Sequence, residues 1–454
     1  MKILKSDLSP ANMISKYPMS IFWIFFGISS IFGSCTQDYT VRTEILKWKD
    51  GKKAAVSLTY DDGTLNQFRV ALPIMEEFDM RGTFYINTGE IPGQKNEAKY
   101  LGRDPKIVID ATASIPTNLE NYFERAGLIR FLDIPGAVSF HDRSGATYEQ
   151  GRVEEAYRVL DEGYELARKL KTINLIPPQI IDGPMIGWDE LRTYAARGHE
   201  FGVHTISHPR LAVLDEENLL FELEKCAEDI ERELGKAHLF SAECPFGTEN
   251  ERVMEYALDL FPATRNRMPE PYLEEINRSG TFDVKKDYQK EYVQFQRGPL
   301  SRTDQDLMKS WIDDIITRND VWLVLVFHGI EGIGWEAISE DRIRDYFTYI
   351  ASKSEDVWVA PFREVTKYMR QRMASEVMLQ VASNEIKIEL KSDLDPYWYD
   401  QPLTLKTYFD MAWEKVKLVQ GNEEKELEVQ QDEGGQYVQY DYQPSKGSLI
   451  LKSI

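Results

Sequence analysis

An irregular (β/α) barrel with a long insertion, followed by a small β-sandwich, is the fold this α/β sequence predicts. Three observations carry the prediction. Between Lys52 and Met373 short apolar runs alternate with amphipathic stretches of helical period, the pattern of a parallel α/β domain. Seven or eight such units are present, which suits a barrel better than an open sheet. After Met373 the helical period stops, and alternating apolar positions broken by Gly, Asp and Pro take over through residues 376–454, as in a sandwich.

The chain of 454 residues is 42% hydrophobic and 12% aromatic, enough for two or three domains around a large core. Its formal net charge of -21 is spread along the sequence rather than gathered in a tail. That balance argues against nucleic acid as a partner and favours a neutral or cationic substrate.

Residues 1–35 differ from the rest. Lys2, Lys5 and Lys16 precede the apolar run Ile21 to Phe32, which is short for a membrane span and has the layout of a secretion signal. Gly33 and Ser34 directly before Cys35 are similar to a bacterial lipoprotein cleavage box, although Phe32 stands where leucine is usual. The expectation is an exported protein, at the periplasm or cell surface, lipid-anchored at Cys35. An ordinary cleaved signal or a single membrane anchor is the alternative.

The expected barrel strands are Ala54 to Tyr60, Gly82 to Asn87, Glu200 to His204, His238 to Glu243, Ala263 to Asn266, Tyr292 to Gln296, Val321 to Phe327 and Val357 to Ala360. Between the second and third lies an insertion, Gly89 to Ile186, with a helix near Arg152 to Lys171. Leaving the C-terminal end of a strand, it should rise over the face where such barrels carry their chemistry. Cys226 falls on the helical stripe Leu219, Leu223, Cys226, Ile230, Leu234, between a cap at Asp215 and a stop at Gly235. Neither it nor Cys244 lies in a CxxC pair, so no zinc ribbon or disulfide framework is implied.

The first strand ends in "TYDDG". Adjacent carboxylates at the end of a buried strand cost free energy unless a cation or a proton sits between them. In "HTISH", His204 and His208 are four residues apart; on a helical turn that spacing turns both imidazoles to one side, as a metal requires, although Pro209 keeps any such turn brief. The strand Val321 to Phe327 then delivers His328 to the same barrel end. Each signal alone is weak. Together they place two carboxylates and three histidines on one face.

At these residues the sequence resembles the NodB-like polysaccharide deacetylases of carbohydrate esterase family 4. "TYDDG", "HTISH", "CPFG" and "LVFHG" stand where that family has its motifs, with weaker agreement in "GTFYIN" and "DVWVAPFREV". The resemblance spans Lys52 to Met373 outside the insertion and implies the same irregular barrel. It implies that Asp62, His204 and His208 hold a divalent metal, zinc first and cobalt, nickel or manganese next. Asp61 would be general base, His328 the acid, and the backbone N–H of Phe246 an oxyanion donor. The implied reaction removes N-acetyl or O-acetyl groups from an envelope or extracellular carbohydrate. Hydrolysis of another small amide and a catalytically silent, metal-containing glycan-binding lipoprotein are the competing readings.

The match departs at the third motif, where the family's arginine is replaced by Glu243. A glutamate pointing inward would repel Asp61. Arg265, at the end of the next strand, is the expected substitute for the missing charge. Trp311 is a candidate wall residue, and Asp304, Asp306, Asp313 and Asp314 are candidate orienters of His328.

Overall fold

The computed structural model describes residues 40–179, 185–267, 276–277 and 294–454. The proposed leader and Cys35 lie outside them. After β1 (Val41–Ile45) the chain enters a parallel sheet of nine strands: β2 (Ala54–Tyr60), β3 (Thr83–Ile86), β4 (Glu200–Val203), β5 (Ser241–Ala242), β6 (Ala263–Thr264), β7 (Ile276–Asn277), β8 (Gln294–Arg297), β9 (Trp322–Phe327) and β10 (Val357–Val359). Their order is β6-β5-β4-β3-β2-β9-β8-β7, with β10 also on β2.

Strand β2 is the centre. One side pairs with β9 along Ala55 to Tyr60; the other is shared, β10 taking Ala54 to Val56 and β3 taking Thr59 and Tyr60. All seven of its residues are buried, which explains why the run carries no alternation. Between β6 and β8 the joint is made by side chains: Nε2 of Gln294 and of Gln296 donates to the Arg265 carbonyl at 3.2 and 2.9 Å.

All eight expected strands are found, those expected at His238 to Glu243 and Ala263 to Asn266 shortened to two residues each, and Tyr292 of the sixth lies outside the described residues. Residues Lys236–Leu239 form a 3-10 turn, and only Ser241–Ala242 pair as strand. The reason is that His238 turns its Nδ1 to accept the Phe201 N–H, so a side chain occupies a place that a ladder bond would take. Two-residue β7 and, ahead of the barrel, β1 are strands that the sequence pattern missed.

The helices outside the insertion are α1 (Leu72–Glu77), then α6 (Trp188–Ala196), α7 (Glu216–Leu234), α8 (Glu251–Leu260), α9 (Gln305–Arg318), α10 (Glu340–Ala351) and α11 (Phe362–Ala374). Helix α7 starts where Asp215 accepts the Asn218 N–H and stops at Gly235, whose φ of 92° a side chain rarely adopts. Leu219, Leu223, Cys226 and Ile230 are its buried stripe.

The insertion holds four helices rather than one: α2 (Pro105–Ala111), α3 (Tyr122–Ile129), α4 (Ala137–Glu149) and α5 (Val153–Leu170). They share their own core, including Tyr122, Leu128, Leu160 and Tyr164. Only α5 is long and regular in sequence. Helix α4, "AVSFHDRSGATYE", is rich in weak helix formers and forms because tertiary packing overrides propensity.

The C-terminal region is two antiparallel sheets, built from β11 (Glu376–Ala382), β12 (Glu385–Lys391), β13 (Leu403–Phe409), β14 (Lys415–Gln420), β15 (Glu423–Glu428), β16 (Gln430–Asp432), β17 (Gly435–Tyr442) and β18 (Leu449–Ser453). One sheet runs β11-β12-β18-β14-β15 and the other β1-β13-β17-β16. The second therefore takes an edge strand from ahead of the barrel, so segment 376–454 does not by itself supply all the strands.

Candidate active site

Parallel strands deliver their C-terminal residues to one end of the sheet, and there the cavity opens. It measures about 1020 Å³, at the upper end for small-molecule sites, so it admits more than one acyl group. Asp61, Asp62, His204, His208, Phe246, Arg265 and His328 all line it. The residues expected as metal ligands, base, acid, oxyanion donor and substitute charge are thus brought to a single place.

Asp62 follows β2 with φ of 74°, a conformation that aspartate tolerates better than most residues, and Gly63 continues at 70°. The sharp turn separates the two carboxylates. Asp62 Oδ1 lies 3.5 Å from His204 Nε2 and 3.3 Å from His208 Nε2, and one ligand atom from each residue falls within 4.8 Å of the others. The two histidines converge through an irregular turn rather than the helical one expected. Thr205 and His208 have φ of 69° and 51°, and His208 donates its N–H to Thr205 Oγ1 at 3.0 Å.

The donor chemistry fits a divalent cation. His204 Nδ1 donates to the Glu243 carbonyl at 3.0 Å, which aims Nε2 towards Asp62, where it would offer its lone pair to a bound cation. That Nε2 is buried without a hydrogen-bond partner. Burial pushes His208 down to about 3, keeping it neutral as a ligand must be. Burial acts on His204 in the same sense, but Glu243 and Asp62 outweigh it and hold the imidazole well above its ordinary value. The carboxylates around it call for positive charge. Asp61 and Glu243 share the Arg265 guanidinium while Asp62 faces the two histidines, so a divalent ion at that point would balance the remaining negative charge.

Glu243 does point inward, with 3% exposure, contrary to the expectation that its charge would make this unfavourable. Arg265 resolves the conflict by lying between the carboxylates. It forks onto Asp61, Nη1 to Oδ1 at 2.5 Å and Nη2 to Oδ2 at 2.7 Å, and reaches Glu243 Oε1 at 3.1 Å. Burial would raise Asp61, yet the Arg265 charge beside it, with His328, holds it below the usual carboxylate range. Arg265 itself, although buried, is driven up by the same two acids.

His328 Nε2 lies 3.4 Å from Asp61 Oδ2. None of the four aspartates considered as its orienter borders the cavity: Asp304 caps α9, and Asp313 binds Tyr349. Trp311 is packed in the core of α9, not in the cavity wall. Trp335 takes the wall position instead, 58% exposed, with its ring 4.8 Å from that of His328. A hairpin in "HGIEGIGW" folds it back, because Gly329 and Gly334 touch where a Cβ on Gly329 would fall 2.6 Å from the Gly334 carbonyl carbon. That glycine-spaced tryptophan was the signal available and unread. Phe246, with φ of 62°, sits opposite, 4.7 Å from the His208 ring and under Arg210 at 4.2 Å. Arg130, Val138, Asp142 and Gln179 of the insertion also line the cavity.

Parts of the chain are similar to known proteins. Residues 49–120 and 146–260 match the family model for polysaccharide deacetylase, the break falling inside the insertion. A gellan lyase from a Bacillus species is 22% identical over 283 residues, 57% of this chain; the chain spans only 11% of that protein. Among solved structures, a family 4 carbohydrate esterase from Streptomyces lividans in complex with acetate is 11% identical, covering 69% of this chain and 95% of that one, with a TM-score of 0.31. The peptidoglycan deacetylase of Bacillus subtilis is 12% identical, covering 70% and 93%, with a TM-score of 0.30.

Proposed function

Because the chain carries a polysaccharide deacetylase domain, we propose that it is a metal-dependent hydrolase removing acetyl groups from an extracellular or envelope carbohydrate. The observation that supports this reading is the convergence of Asp61, Asp62, His204, His208 and His328 on one cavity. Asp62, His204 and His208 would hold the cation, zinc first by donor type. Such an ion acidifies water and polarises an acyl carbonyl.

The chain's own groups supply the rest. Asp61, kept ionised and oriented by Arg265, accepts the proton of the attacking water. The Phe246 N–H stabilises the oxyanion of the tetrahedral intermediate. His328 donates a proton to the departing amine or alkoxide, and Trp335 offers a ring face on which a pyranose can stack. The same groups serve N-acetyl and O-acetyl substrates.

The test is acetate release by residues 36–454 from N-acetylglucosamine oligomers and from acetylated xylan, with and without chelator. Chelator-sensitive release that Asp61→Asn abolishes supports the mechanism, and the better substrate separates amide from ester. A protein that holds metal yet releases no acetate from either overturns it in favour of a silent binding protein or another amide. Export with a lipid at Cys35 belongs to the same proposal. Cys35→Ala should move the protein from the membrane fraction to the soluble one.

A further inference from the structure

We propose that Arg130, supplied by the insertion, is a positioning residue for the metal ligands: it clamps the turn between His204 and His208 and so aims His208 at Asp62. The inference rests on reading that cluster as a metal site. Its starting point is a conformational problem. Thr205, β-branched, and His208 both occupy the left-handed region, where side chains are strained, and a short turn does not hold two such residues unaided.

Glu222 of α7 grips the turn from one side. Its Oε2 accepts the N–H groups of Ile206 and Ser207 at 2.9 and 2.8 Å, and its Oε1 accepts the Ser207 hydroxyl. At 3% exposure this carboxylate needs a counter-charge, and Arg130 Nη1 provides it at 3.5 Å. Arg130 also grips the turn from the other side. Its Nη1 donates to Ser207 Oγ at 2.9 Å and its Nη2 to the Ser207 carbonyl.

Ser207 is therefore held at its amide, hydroxyl and carbonyl, one bond away from the ligand His208. Arg130 directly follows α3 and is 2% exposed, so the insertion reaches under the ligand turn as well as around the cavity. A planar guanidinium with donors in a fixed fork can serve carbonyl, hydroxyl and carboxylate at once. A barrel without the insertion would leave Glu222 as a buried, unmatched charge and the turn free to relax.

The experiment measures Zn2+ affinity of the purified protein by competition with a chromophoric chelator, alongside the unfolding midpoint of the metal-free form. Arg130→Ala should weaken Zn2+ binding about 10- to 100-fold, the range typical of lost partners behind metal ligands. Arg130→Lys should recover part of it, since an ammonium matches the Glu222 charge but cannot span both Ser207 groups. The double variant Arg130→Met with Glu222→Gln carries no buried charge, which keeps it foldable if Arg130→Ala is not, and it should bind Zn2+ weakly.

Lower thermal stability in Arg130→Ala with parental Zn2+ affinity would assign Arg130 a structural role only and overturn the inference. Parental affinity in the double variant would do the same. A parent protein whose Zn2+ affinity is indifferent to His208→Ala would overturn the metal reading itself; sensitivity to His208→Ala without sensitivity at Arg130 would overturn this inference alone.

Discussion

The two ends of the parallel sheet bury the same residue types for opposite purposes. At the N-terminal end Glu200 is 1% exposed and satisfied by neutral donors: Thr83 Oγ1 at 2.8 Å, the Arg363 N–H at 2.7 Å and Ser241 Oγ at 2.7 Å. His199 and His238 beside it each accept a backbone N–H, from Gly82 and Phe201. At the C-terminal end Glu243 is equally buried, but its neighbours are Arg265 and the Nδ1 of His204. There His204, His208 and His328 turn ring nitrogens towards carboxylates. At the N-terminal end Glu200 and His238 are satisfied by neutral partners, while His199 also turns its Nε2 to Glu76 Oε1 at 3.5 Å. The C-terminal end instead assembles carboxylates, a guanidinium and histidines whose charges cancel only in concert.

The sharpest way to break this comparison is to neutralise one carboxylate at each end. Asp61→Asn should reduce acetate release about 10²- to 10⁴-fold with the fold intact, the usual range for loss of a general base. Glu200→Gln should leave turnover of the folded protein unchanged. Equal losses at both ends, measured as kcat per folded chain, would erase the distinction.

Arg265→Ala comes next, because it leaves Asp61 and Glu243 buried without their cation. Breaking such a pair typically costs about 3 to 5 kcal/mol, read from the urea midpoint. Turnover should fall while metal content stays at the parental value. Unchanged turnover would remove Arg265 from the mechanism.

A smaller effect is expected at the opposite end. His238→Ala removes the acceptor for the Phe201 N–H, and an unsatisfied buried donor costs about 1 to 3 kcal/mol. Acetate release by the protein that remains folded should not change.

The smallest effect is a slope. Burial pushes His141 down to about 3 and His238 down to about 4, whereas in the unfolded chain each titrates at about 6.5. Between those values the unfolded chain binds more protons than the native one, so stability is lost as pH falls below about 6.5. Each histidine contributes up to about 1.4 kcal/mol per pH unit. His141 explains why it stays neutral: Nδ1 faces the Ala126 carbonyl at 2.7 Å and Nε2 accepts the Arg210 N–H at 3.1 Å. His141→Gln should flatten the dependence measured by urea unfolding at pH 4.5 to 7, and an unaltered slope would show that this histidine does not carry it.

What the sequence by itself determined were the local signals. Seven small or apolar residues followed by "DDG" dictated a buried strand with carboxylates at its end, and Val321 to Phe327 dictated another that is followed by His328. The spacing of His204 and His208 announced two rings turned to one side, and both face Asp62 Oδ1 even though the turn between them is not helical. These are short-range facts, set by period and by which residues tolerate burial or a left-handed backbone. The tertiary structure alone decided which distant groups meet. Arg265 reaches Asp61 across 204 positions, Arg130 reaches Ser207 across 77, and β1 joins a sheet formed from the far end of the chain. Glu243 looked wrong beside Asp61 because the sequence shows two like charges near one site and not the guanidinium between them. A buried charge takes its energy from whatever surrounds it in space, and only the completed packing fixes that neighbourhood.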